Sequence, residues 1–309
     1  MTTLYFTHDA GLAHLTPAGH AEQVARLRAV HAALDAPAFA ALERRTCPLA
    51  DPAEVLRCHP QDHLDRIGQP VAEGEVVQLD PDTFLSPGSL EAALRAVGGV
   101  NAAVDAVLAD QAGNAFVAMR PPGHHAETTR PMGFCLFGTA AIAAKRALDH
   151  HGLARVAVLD FDVHHGNGTQ DLLWNEPRAF FASTHQMPLY PGTGAAGETG
   201  AHGQIVNVPL APGSNGAEGR AAWEAILQRA RAFAPELVIV SAGFDAHLAD
   251  PLAGLEWHED DFTAITHAIC DMAADCAAPV VSTLEGGYDL EALGRSVAAH
   301  VAVLMERGG

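Results

Sequence analysis

Short apolar runs alternate with longer segments of helical periodicity along most of the chain. The short runs have the length and β-branched content of buried strands, and the longer segments repeat apolar residues three or four positions apart. The predicted strands are Thr3–Thr7, Ala115–Met119, Arg155–Leu159, Ala179–Thr184, Ile205–Val208, Glu236–Ala242 and Pro279–Leu284. The predicted helices are His20–Leu34, Pro52–Ile67, Ser89–Ala109 (with Ser89 as the N-cap), Thr139–His150, Asn215–Phe233, Asp260–Ala277 and Asp289–Met305.

This alternation predicts an α/β fold of three layers, in which a mostly parallel central sheet is covered by helices on both faces. The sequence contains no linker, low-complexity run or internal repeat. Its 309 residues, 49% of them hydrophobic, are enough for one large core. We therefore expect residues 1–309 to form a single domain.

Polar clusters follow four of the predicted strands. His124 and His125 come after one strand, the segment Asp160–His164 after the next, and Asp245 and Tyr288 after two later ones. Ligands of parallel α/β sheets bind beyond the carboxyl ends of the strands. We expect all four clusters to meet at one edge of the sheet.

The stretch L-D-F-D-V-H-H-G-N-G-T-Q, residues 159–170, carries the strongest signal. If it continues a strand, Asp160, Asp162 and His164 point to the same side because side chains alternate. The alternative is a solvated turn with acidic residues, but carboxylates at the end of a buried strand are costly unless they are paired or bind a metal. Gly166 and Gly168 favour a sharp turn after this segment.

Asp162, His164 and Asp245 would supply one nitrogen and two carboxylates to a metal. Three protein ligands and an open position for water are typical of catalytic zinc. The same ligands also suit iron(II), cobalt or manganese, so the residues alone leave the metal open.

The remaining polar residues suit proton transfer. His124 and His125 are candidates for a general base and a general acid, and Asp160 for the carboxylate that orients one of them. Tyr288 follows two glycines that could let its hydroxyl approach a substrate oxygen, where a phenol can donate a hydrogen bond to a developing oxyanion. On its own it would be interpreted as a loop aromatic, and only the other clusters favour a catalytic role. No nucleophile motif, phosphate-binding loop or dinucleotide fingerprint is present.

Composition narrows the partners. A formal net charge of −19 argues against a general nucleic-acid binder. The same charge favours a cationic substrate, or reflects solubility alone.

No apolar stretch is long enough and free enough of charge to span a membrane, and the start of the chain has no signal sequence. An odd number of cysteines without a C-x-x-C pair fits reduced thiols, so we expect a cytoplasmic protein. The oligomeric state is open, and a homo-oligomer is compatible with the sequence.

Six motifs occur in a fixed order. They are R-P-P-G-H-H-A (120–126), G-F-C-L-F (133–137), D-F-D-V-H-H-G-N-G-T-Q (160–170), P-G-T-G (191–194), S-A-G-F-D-A (241–246) and E-G-G-Y (285–288). Together they resemble the zinc-dependent histone deacetylase family, in particular its class II branch and the bacterial histone deacetylase-like amidohydrolases. The resemblance spans most of the chain and implies the arginase/deacetylase fold.

The resemblance also implies roles for individual residues. It makes Asp162, His164 and Asp245 the zinc ligands, His124 and His125 the proton-transfer pair, and Tyr288 the residue that clamps the transition state. It implies an acyl-lysine tunnel lined by the Gly133 carbonyl, Phe134 and Tyr190. It further implies a structural potassium ion near Asp160, Asp162, His164, Ser183 and Thr184. The reaction would be attack of water on an amide carbonyl, with release of acetate and a free amine.

Three positions depart from the family pattern. Asn167 stands where class I members carry an aspartate beside the second histidine, which leaves open which histidine is the base and which the acid. The segment from His20 to Arg26 keeps H-x-E-x-x-x-R but lacks the usual prolines, so the entry loop is expected to differ. Gly138 replaces a usual asparagine.

Several functions remain to be distinguished. The leading hypothesis is a metal-dependent deacetylase of acetyl-lysine in proteins or peptides, and the second is a deacetylase of acetylpolyamines or other small N-acyl amines. Some polyamine enzymes of this superfamily carry an acidic residue where this chain has Leu252, which favours lysine. A catalytically silent acyl-lysine binder would not need the histidine pair, and an arginase-like hydrolase would need more aspartates.

Overall fold

The computed structural model describes residues 2–308. The strands are β1 (Thr3–Thr7), β2 (Glu43–Thr46), β3 (Val77–Asp80), β4 (Thr83–Leu85), β5 (Asn114–Ala118), β6 (Val156–Asp160), β7 (Ala179–Gln186), β8 (Ile205–Leu210), β9 (Leu237–Ala242) and β10 (Val280–Leu284). The helices are α1 (Ala10–Ala13), α2 (Val24–Leu34), α3 (Pro52–Val55), α4 (Gln61–Ile67), α5 (Ser89–Leu108), α6 (Thr139–Asp149), α7 (Asn167–Leu173), α8 (Gly216–Phe233), α9 (Glu259–Asp275) and α10 (Leu290–Gly308). A short 3₁₀ helix spans Pro37–Phe39.

Eight strands form one sheet in the order β2-β1-β5-β10-β9-β6-β7-β8, and every neighbouring pair is parallel. Alternating residues of the inner strands enter two separate cores. In β5, Ala115 and Val117 pack with α5 and α6, whereas Phe116 and Ala118 pack with α2, α9 and α10. The predicted α/β architecture of three layers around a parallel sheet is confirmed.

The strand order brings the polar clusters together. Four adjacent strands, β5, β10, β9 and β6, run in the same direction. Their carboxyl ends lead to His124–His125, to Tyr288, to Asp245 and to Asp162–His164, respectively. At the end of β6, Asp160 lies opposite Ser241 of β9 and Ser183 of β7.

Three predicted helices differ from the observed ones. The first begins only at Val24, because His20 belongs to a loop in which its Nε2 bonds to the Asp82 carbonyl at 3.0 Å. The segment Pro52–Ile67 forms two helices, since Pro60 disfavours helical backbone before it and offers no N–H. Ser89 is the first helical residue rather than the N-cap, and its Oγ accepts a hydrogen bond from the Ser86 N–H.

Periodicity missed several short elements. β2 reads E-R-R-T with three of four residues exposed, so this edge strand shows no apolar pattern. β3 and β4 form a separate antiparallel hairpin. Helix α7 begins directly after Gly166, where a turn alone was expected. Gly168 still permits a close approach, because a Cβ there would lie 2.4 Å from the Ala126 carbonyl oxygen.

Candidate active site

The candidate metal ligands converge just beyond the ends of β6 and β9. Nδ1 of His164 lies 3.1 Å from Oδ1 of Asp162 and 3.1 Å from Oδ2 of Asp245. All three residues are buried, and both aspartates are 0% exposed. Ligand atoms about 2.0–2.2 Å from a shared metal are separated by roughly 3 Å, so this spacing fits one ion.

Local backbone bonds aim these side chains. Oδ1 of Asp160 accepts the Asp162 N–H at 3.0 Å, and Oδ1 of Asp162 accepts the His164 N–H at 2.9 Å. Oδ1 of Asp245 accepts the Val163 N–H at 2.9 Å. The prediction that Asp160, Asp162 and His164 share one face of a strand is therefore wrong, because β6 ends at Asp160. Side chain to backbone bonds orient the residues beyond it.

Two glycines let the backbone come close to the ligands. A Cβ at Gly286 would lie 2.1 Å from Oδ2 of Asp245 and 2.5 Å from Oδ2 of Asp162. A Cβ at Gly243 would lie 2.0 Å from the same Asp162 oxygen. The Gly286 N–H donates to that oxygen at 2.8 Å. Neither position has room for a side chain.

The electrostatics of the ligand cluster favour a bound cation. Burial raises the pKa of Asp245, and the charge of Asp162 raises it further. Burial alone would lower the pKa of His164, but its bonds to the two carboxylates raise it to about 10. Two buried carboxylates that attract a positive charge this strongly are chemically suited to a divalent metal ion. The residues present therefore fit the metal that the sequence indicates.

The two histidines of the R-P-P-G-H-H motif have different partners. Nδ1 of His124 lies 3.0 Å from Oδ2 of Asp160. Nδ1 of His125 lies 2.7 Å from Oδ1 of Asn167, whose Nδ2 donates to Oε1 of Glu127 at 2.7 Å. The amide orientation leaves Oδ1 of Asn167 to accept from His125, so Nε2 of His125 carries the free lone pair.

These environments shift the pKa values of the two imidazoles in opposite directions. Burial alone would lower the pKa of His124, but the charges of Asp162 and Asp160 raise it well above its usual value. Burial lowers the pKa of His125 well below its usual value, and the neighbouring charges of His124 and His164 lower it further. His124 is therefore the imidazole that favours the protonated, positively charged form, and His125 is the one that favours the neutral form.

A pocket of about 230 Å³ opens above the ligand cluster. Its walls include the sequence candidates Gly133, Phe134, Tyr190 and Leu252, and its lining also includes Asp82, His125, His164, Leu189 and Tyr288. The aromatic rings meet edge to face. The ring centroids of Phe134 and Tyr288 are 5.7 Å apart, and those of His125 and Tyr190 are 5.2 Å apart.

The β3–β4 hairpin holds one wall of this pocket. Oδ1 of Asp82 accepts the Gly133 N–H at 3.1 Å, and Oγ1 of Thr83 accepts the Phe134 N–H at 3.0 Å. His20 packs against the same wall, with its ring 4.8 Å from that of Phe134. Asp82 was missed in the sequence because no motif surrounds it and its hairpin lacks a strong periodic signal.

Tyr288 is held from two sides. The Arg26 guanidinium lies 4.8 Å from the centre of its ring, and Nε of Arg26 donates to the Gly287 carbonyl at 2.6 Å. The Tyr288 N–H donates to Oδ2 of Asp250 at 2.7 Å. Burial raises the pKa of the Tyr288 hydroxyl well above its usual value, so it stays protonated and can donate a hydrogen bond.

A buried ion cluster connects the N-terminal H-x-E-x-x-x-R segment to this site. Glu22 accepts hydrogen bonds from Arg120, at 2.6 Å for Nη2, and from Nη1 of Arg26 at 3.2 Å. All three side chains are 0% exposed. Arg120 begins the loop that carries His124 and His125. The H-x-E-x-x-x-R motif around Glu22 was recognisable in the sequence, but its buried ion pairs with Arg26 and Arg120 were not predicted.

Among the remaining sequence candidates, Ser183 lies opposite Asp160 in the pairing of β6 with β7, and Thr184 follows it. Oγ of Ser183 bonds to Nδ1 of His185 at 2.9 Å. Oγ1 of Thr184 is buried and has no hydrogen-bond partner among the described residues. At Gly138, a Cβ would lie 2.3 Å from Cδ1 of Leu172, so the leucine occupies the space that a larger residue would need.

A second group of metal-ligand residue types, His247, His258 and Glu259, has a different character. Nδ1 of His247 accepts the Ala249 N–H at 3.0 Å, so in the neutral ring Nε2 carries the proton. That nitrogen lies 3.5 Å from Oε1 of Glu259 and forms no hydrogen bond among the described residues. The same Glu259 oxygen is paired with Nε of Arg295, and none of the three residues lines the pocket above the Asp162–His164–Asp245 cluster.

The parallel sheet and the site at its carboxyl edge define a protein of the arginase/deacetylase-like fold. A family model described as histone deacetylase domain matches residues 20–304. The chain therefore belongs to the histone deacetylase family, as its motifs indicate. Members of this family are deacetylases, which are hydrolases, and they generally use a catalytic metal.

Individual relatives are similar over most of the chain. A histone deacetylase-like amidohydrolase from Pseudomonas aeruginosa is 40% identical over 278 residues, which cover 88% of this chain and 73% of that protein. A probable deacetylase from Methanothermobacter thermautotrophicus is 39% identical over 288 residues, 90% of this chain and 83% of that one. The crystal structure of the HDA15 HD domain superposes with a TM-score of 0.93 at 32% identity, covering 99% of this chain and 89% of that chain. Among residues 2–308, every helix is too short or too polar to cross a membrane.

Proposed function

We propose that this protein is a zinc-dependent deacetylase that hydrolyses the amide bond of acetylated lysine side chains in peptides or proteins. The observation that carries the proposal is the pocket itself. Its walls of Phe134, Tyr190 and Leu252 lead to His125, His164 and Tyr288. An apolar channel that ends at a candidate metal ligand, a neutral histidine and a protonated phenol suits an uncharged acylated alkyl chain.

Asp162, His164 and Asp245 would hold the metal. When bound, it would polarise the amide carbonyl and lower the pKa of water. Zinc is the metal that the family resemblance implies, and the two carboxylates and one imidazole would also accept iron(II) or cobalt.

The two histidines would divide the proton transfers. Nε2 of His125 would accept the proton of the attacking water through its free lone pair. It would later deliver that proton to the leaving amine. His124, paired with Asp160, would keep its proton and stabilise negative charge beside the reacting carbon. This assigns base and acid to one histidine, with Asn167 fixing its tautomer through the 2.7 Å bond at Nδ1.

Tyr288 would stabilise the transition state. Its hydroxyl would donate a hydrogen bond to the carbonyl oxygen as that atom gains negative charge. Burial strengthens such a bond because water does not compete with it. The guanidinium of Arg26 over the ring and the backbone bond to Asp250 would keep the phenol in place.

One observation favours a second candidate, an acetylpolyamine or other small N-acyl amine. Asp82 lines the pocket beside Gly133 and would attract a second amine of such a substrate. Leu252 favours lysine, because an apolar wall offers no partner to an ammonium group. We further propose a structural potassium ion near Asp160, Asp162, His164, Ser183 and Thr184. The unpartnered hydroxyl of Thr184 supports that proposal.

Tyr288→Phe tests the catalytic assignment. We expect the variant to keep its metal, measured by elemental analysis of the purified protein, and to lose about 10²-fold or more in kcat on an acetyl-lysine peptide. Its KM should change little, because the lost bond forms mainly in the transition state. Turnover equal to that of the unaltered protein would remove Tyr288 from the mechanism.

A further inference from the structure

Asp250 connects two walls of the pocket. Its Oδ1 accepts the N–H of Leu252 at 3.0 Å, and its Oδ2 accepts the N–H of Tyr288 at 2.7 Å. A longer bond of 3.4 Å joins Oδ2 to the N–H of Asp289. One carboxylate therefore binds the backbone of both Leu252 and Tyr288, residues whose side chains line the same pocket.

The surroundings fix this carboxylate in place. Asp250 is 7% exposed, and its own N–H donates to the His247 carbonyl at 2.8 Å. Pro251 follows it and restricts the backbone between the carboxylate and Leu252. The bond to Tyr288 spans 38 positions of sequence. It joins the loop after β9, which carries Asp245, to the loop after β10.

We propose that Asp250 is a positioning residue for the hydrolytic reaction. Its carboxylate fixes the Tyr288 backbone relative to the Leu252 wall and thereby aims the phenol at the substrate carbonyl. The inference rests on the proposed function, because the role of Tyr288 is assigned there. A displacement of about 1 Å at a reacting group is enough to cost two orders of magnitude in rate.

The chemistry of the bonds explains why an aspartate is needed. Every partner of the two oxygens is an N–H donor, so both oxygens must accept. An asparagine at this position has one accepting oxygen, and its NH₂ group would face a donor on the other side. Asp250→Asn therefore breaks the connection between Leu252 and Tyr288 while preserving the shape of the side chain.

The two contacts from Arg26 hold the phenol ring and the preceding residue, whereas the Asp250 bond holds the backbone of Tyr288 itself. Nε of Arg26 holds the Gly287 carbonyl, and the guanidinium stacks on the phenol ring. Gly287 has a φ of +119°, a conformation that glycine adopts at little steric cost and that turns the chain just before Tyr288. The Asp250 bond fixes the backbone at the residue directly after this turn.

The test is a double-mutant cycle on acetyl-lysine peptide hydrolysis. Asp250→Asn is made alone and in the Tyr288→Phe background, and metal content and thermal stability are measured for each variant. Asp289→Asn is the matched control. It neutralises the neighbouring carboxylate, whose Oδ1 caps α10 through the Ala292 N–H, a bond that asparagine can also accept.

We expect Asp250→Asn to lower kcat by roughly 10–100-fold with full metal content and a KM within about threefold. In the Tyr288→Phe background the same substitution should lower kcat by less than about threefold, because the aimed hydroxyl is already gone. Asp289→Asn should stay within about twofold of the unaltered protein. Asp250→Ala, which removes both acceptors, should lose at least as much activity as Asp250→Asn.

Three outcomes would overturn the inference. An Asp250→Asn kcat within about threefold of the unaltered protein means that the bond does not position the phenol. An equal loss in both backgrounds means that Asp250 acts through something other than Tyr288, and loss of metal means that it acts through Asp245. If Tyr288→Phe itself is fully active, the proposed role of Tyr288 has failed, which is a result separate from these three.

Discussion

Replacing Glu22 by glutamine isolates the energy of the buried ion cluster. Glu22, Arg26 and Arg120 are each 0% exposed, and the glutamate is bonded to both guanidinium groups. Glutamine has nearly the same shape but no charge. The substitution leaves two buried cations without their shared carboxylate, which is a costly change in a low-dielectric interior.

The magnitude follows from the titration of Glu22. Burial alone would raise its pKa, but the charge and hydrogen bonds of Arg120 hold the pKa at about 2, compared with 4.5 for an ordinary glutamate. That difference corresponds to about 3 kcal/mol of stability at neutral pH. The cost of breaking a buried ion pair, about 3–5 kcal/mol, is of the same size.

The pH dependence has a definite sign. Because folding lowers the pKa of Glu22, its stabilisation is complete above pH 4.5 and is lost as the pH falls towards 2. The difference in stability between the unaltered protein and Glu22→Gln should therefore be largest at neutral pH. It should narrow as the pH falls from 5 to 4, because Glu22 of the unfolded chain takes up its proton in that interval.

Urea unfolding at pH 7, 5 and 4 measures these quantities. The control is Glu91→Gln, which removes an exposed partner of Arg95 on α5 and should cost below about 0.5 kcal/mol. A loss below about 1 kcal/mol for Glu22→Gln at pH 7 would refute the reasoning. A difference that widens as the pH falls from 5 to 4 would also refute it.

Three further substitutions test other parts of the structure. Gly286→Ala should abolish metal binding, measured by elemental analysis, because its Cβ would lie 2.1 Å from Oδ2 of Asp245; retention of a full equivalent would show that the loop can move away. Burial lowers the pKa of His300 to about 3, so the unfolded chain binds the extra proton and this residue should cost about 2 kcal/mol of stability between pH 7.5 and pH 5. Over the same interval, the free energy of unfolding of His300→Gln, measured with urea, should fall by about 2 kcal/mol less than that of the unaltered protein. The same pH dependence in both proteins would contradict the assignment. Leu252→Glu should raise kcat/KM for acetylspermidine relative to an acetyl-lysine peptide by about fivefold, equivalent to a partly screened ion pair of about 1 kcal/mol, and an unchanged ratio would show that Leu252 does not select the substrate.

Much of the fold was predictable because its inner strands are buried on both faces. Such strands read as short apolar runs in the sequence, as in β6, β9 and β10. Their parallel direction then brings His124, Asp162, Asp245 and Tyr288 to one edge. Strands without an apolar pattern were missed, as in β2 with its exposed E-R-R-T sequence.

The supporting residues of the site were harder to find because their roles depend on contacts between distant parts of the chain. Asp250 meets Tyr288 across 38 positions, and Glu22 meets Arg120 across 98. Neither separation follows from periodicity or from a local motif. No sequence motif marks Asp82, whose place in the pocket depends on the β3–β4 hairpin.

The central claim is metal-dependent hydrolysis of acetyl-lysine. Its most direct test is acetate release by the purified protein from an acetyl-lysine peptide, compared with acetylputrescine and acetylspermidine, before and after treatment with a chelator. We expect the peptide to be the better substrate, with activity that is lost on chelation and restored by zinc. Activity that survives complete metal removal, or a metal-loaded protein that leaves the peptide intact, would contradict the claim. A strong preference for the polyamines would retain the metal chemistry and overturn the assignment to lysine.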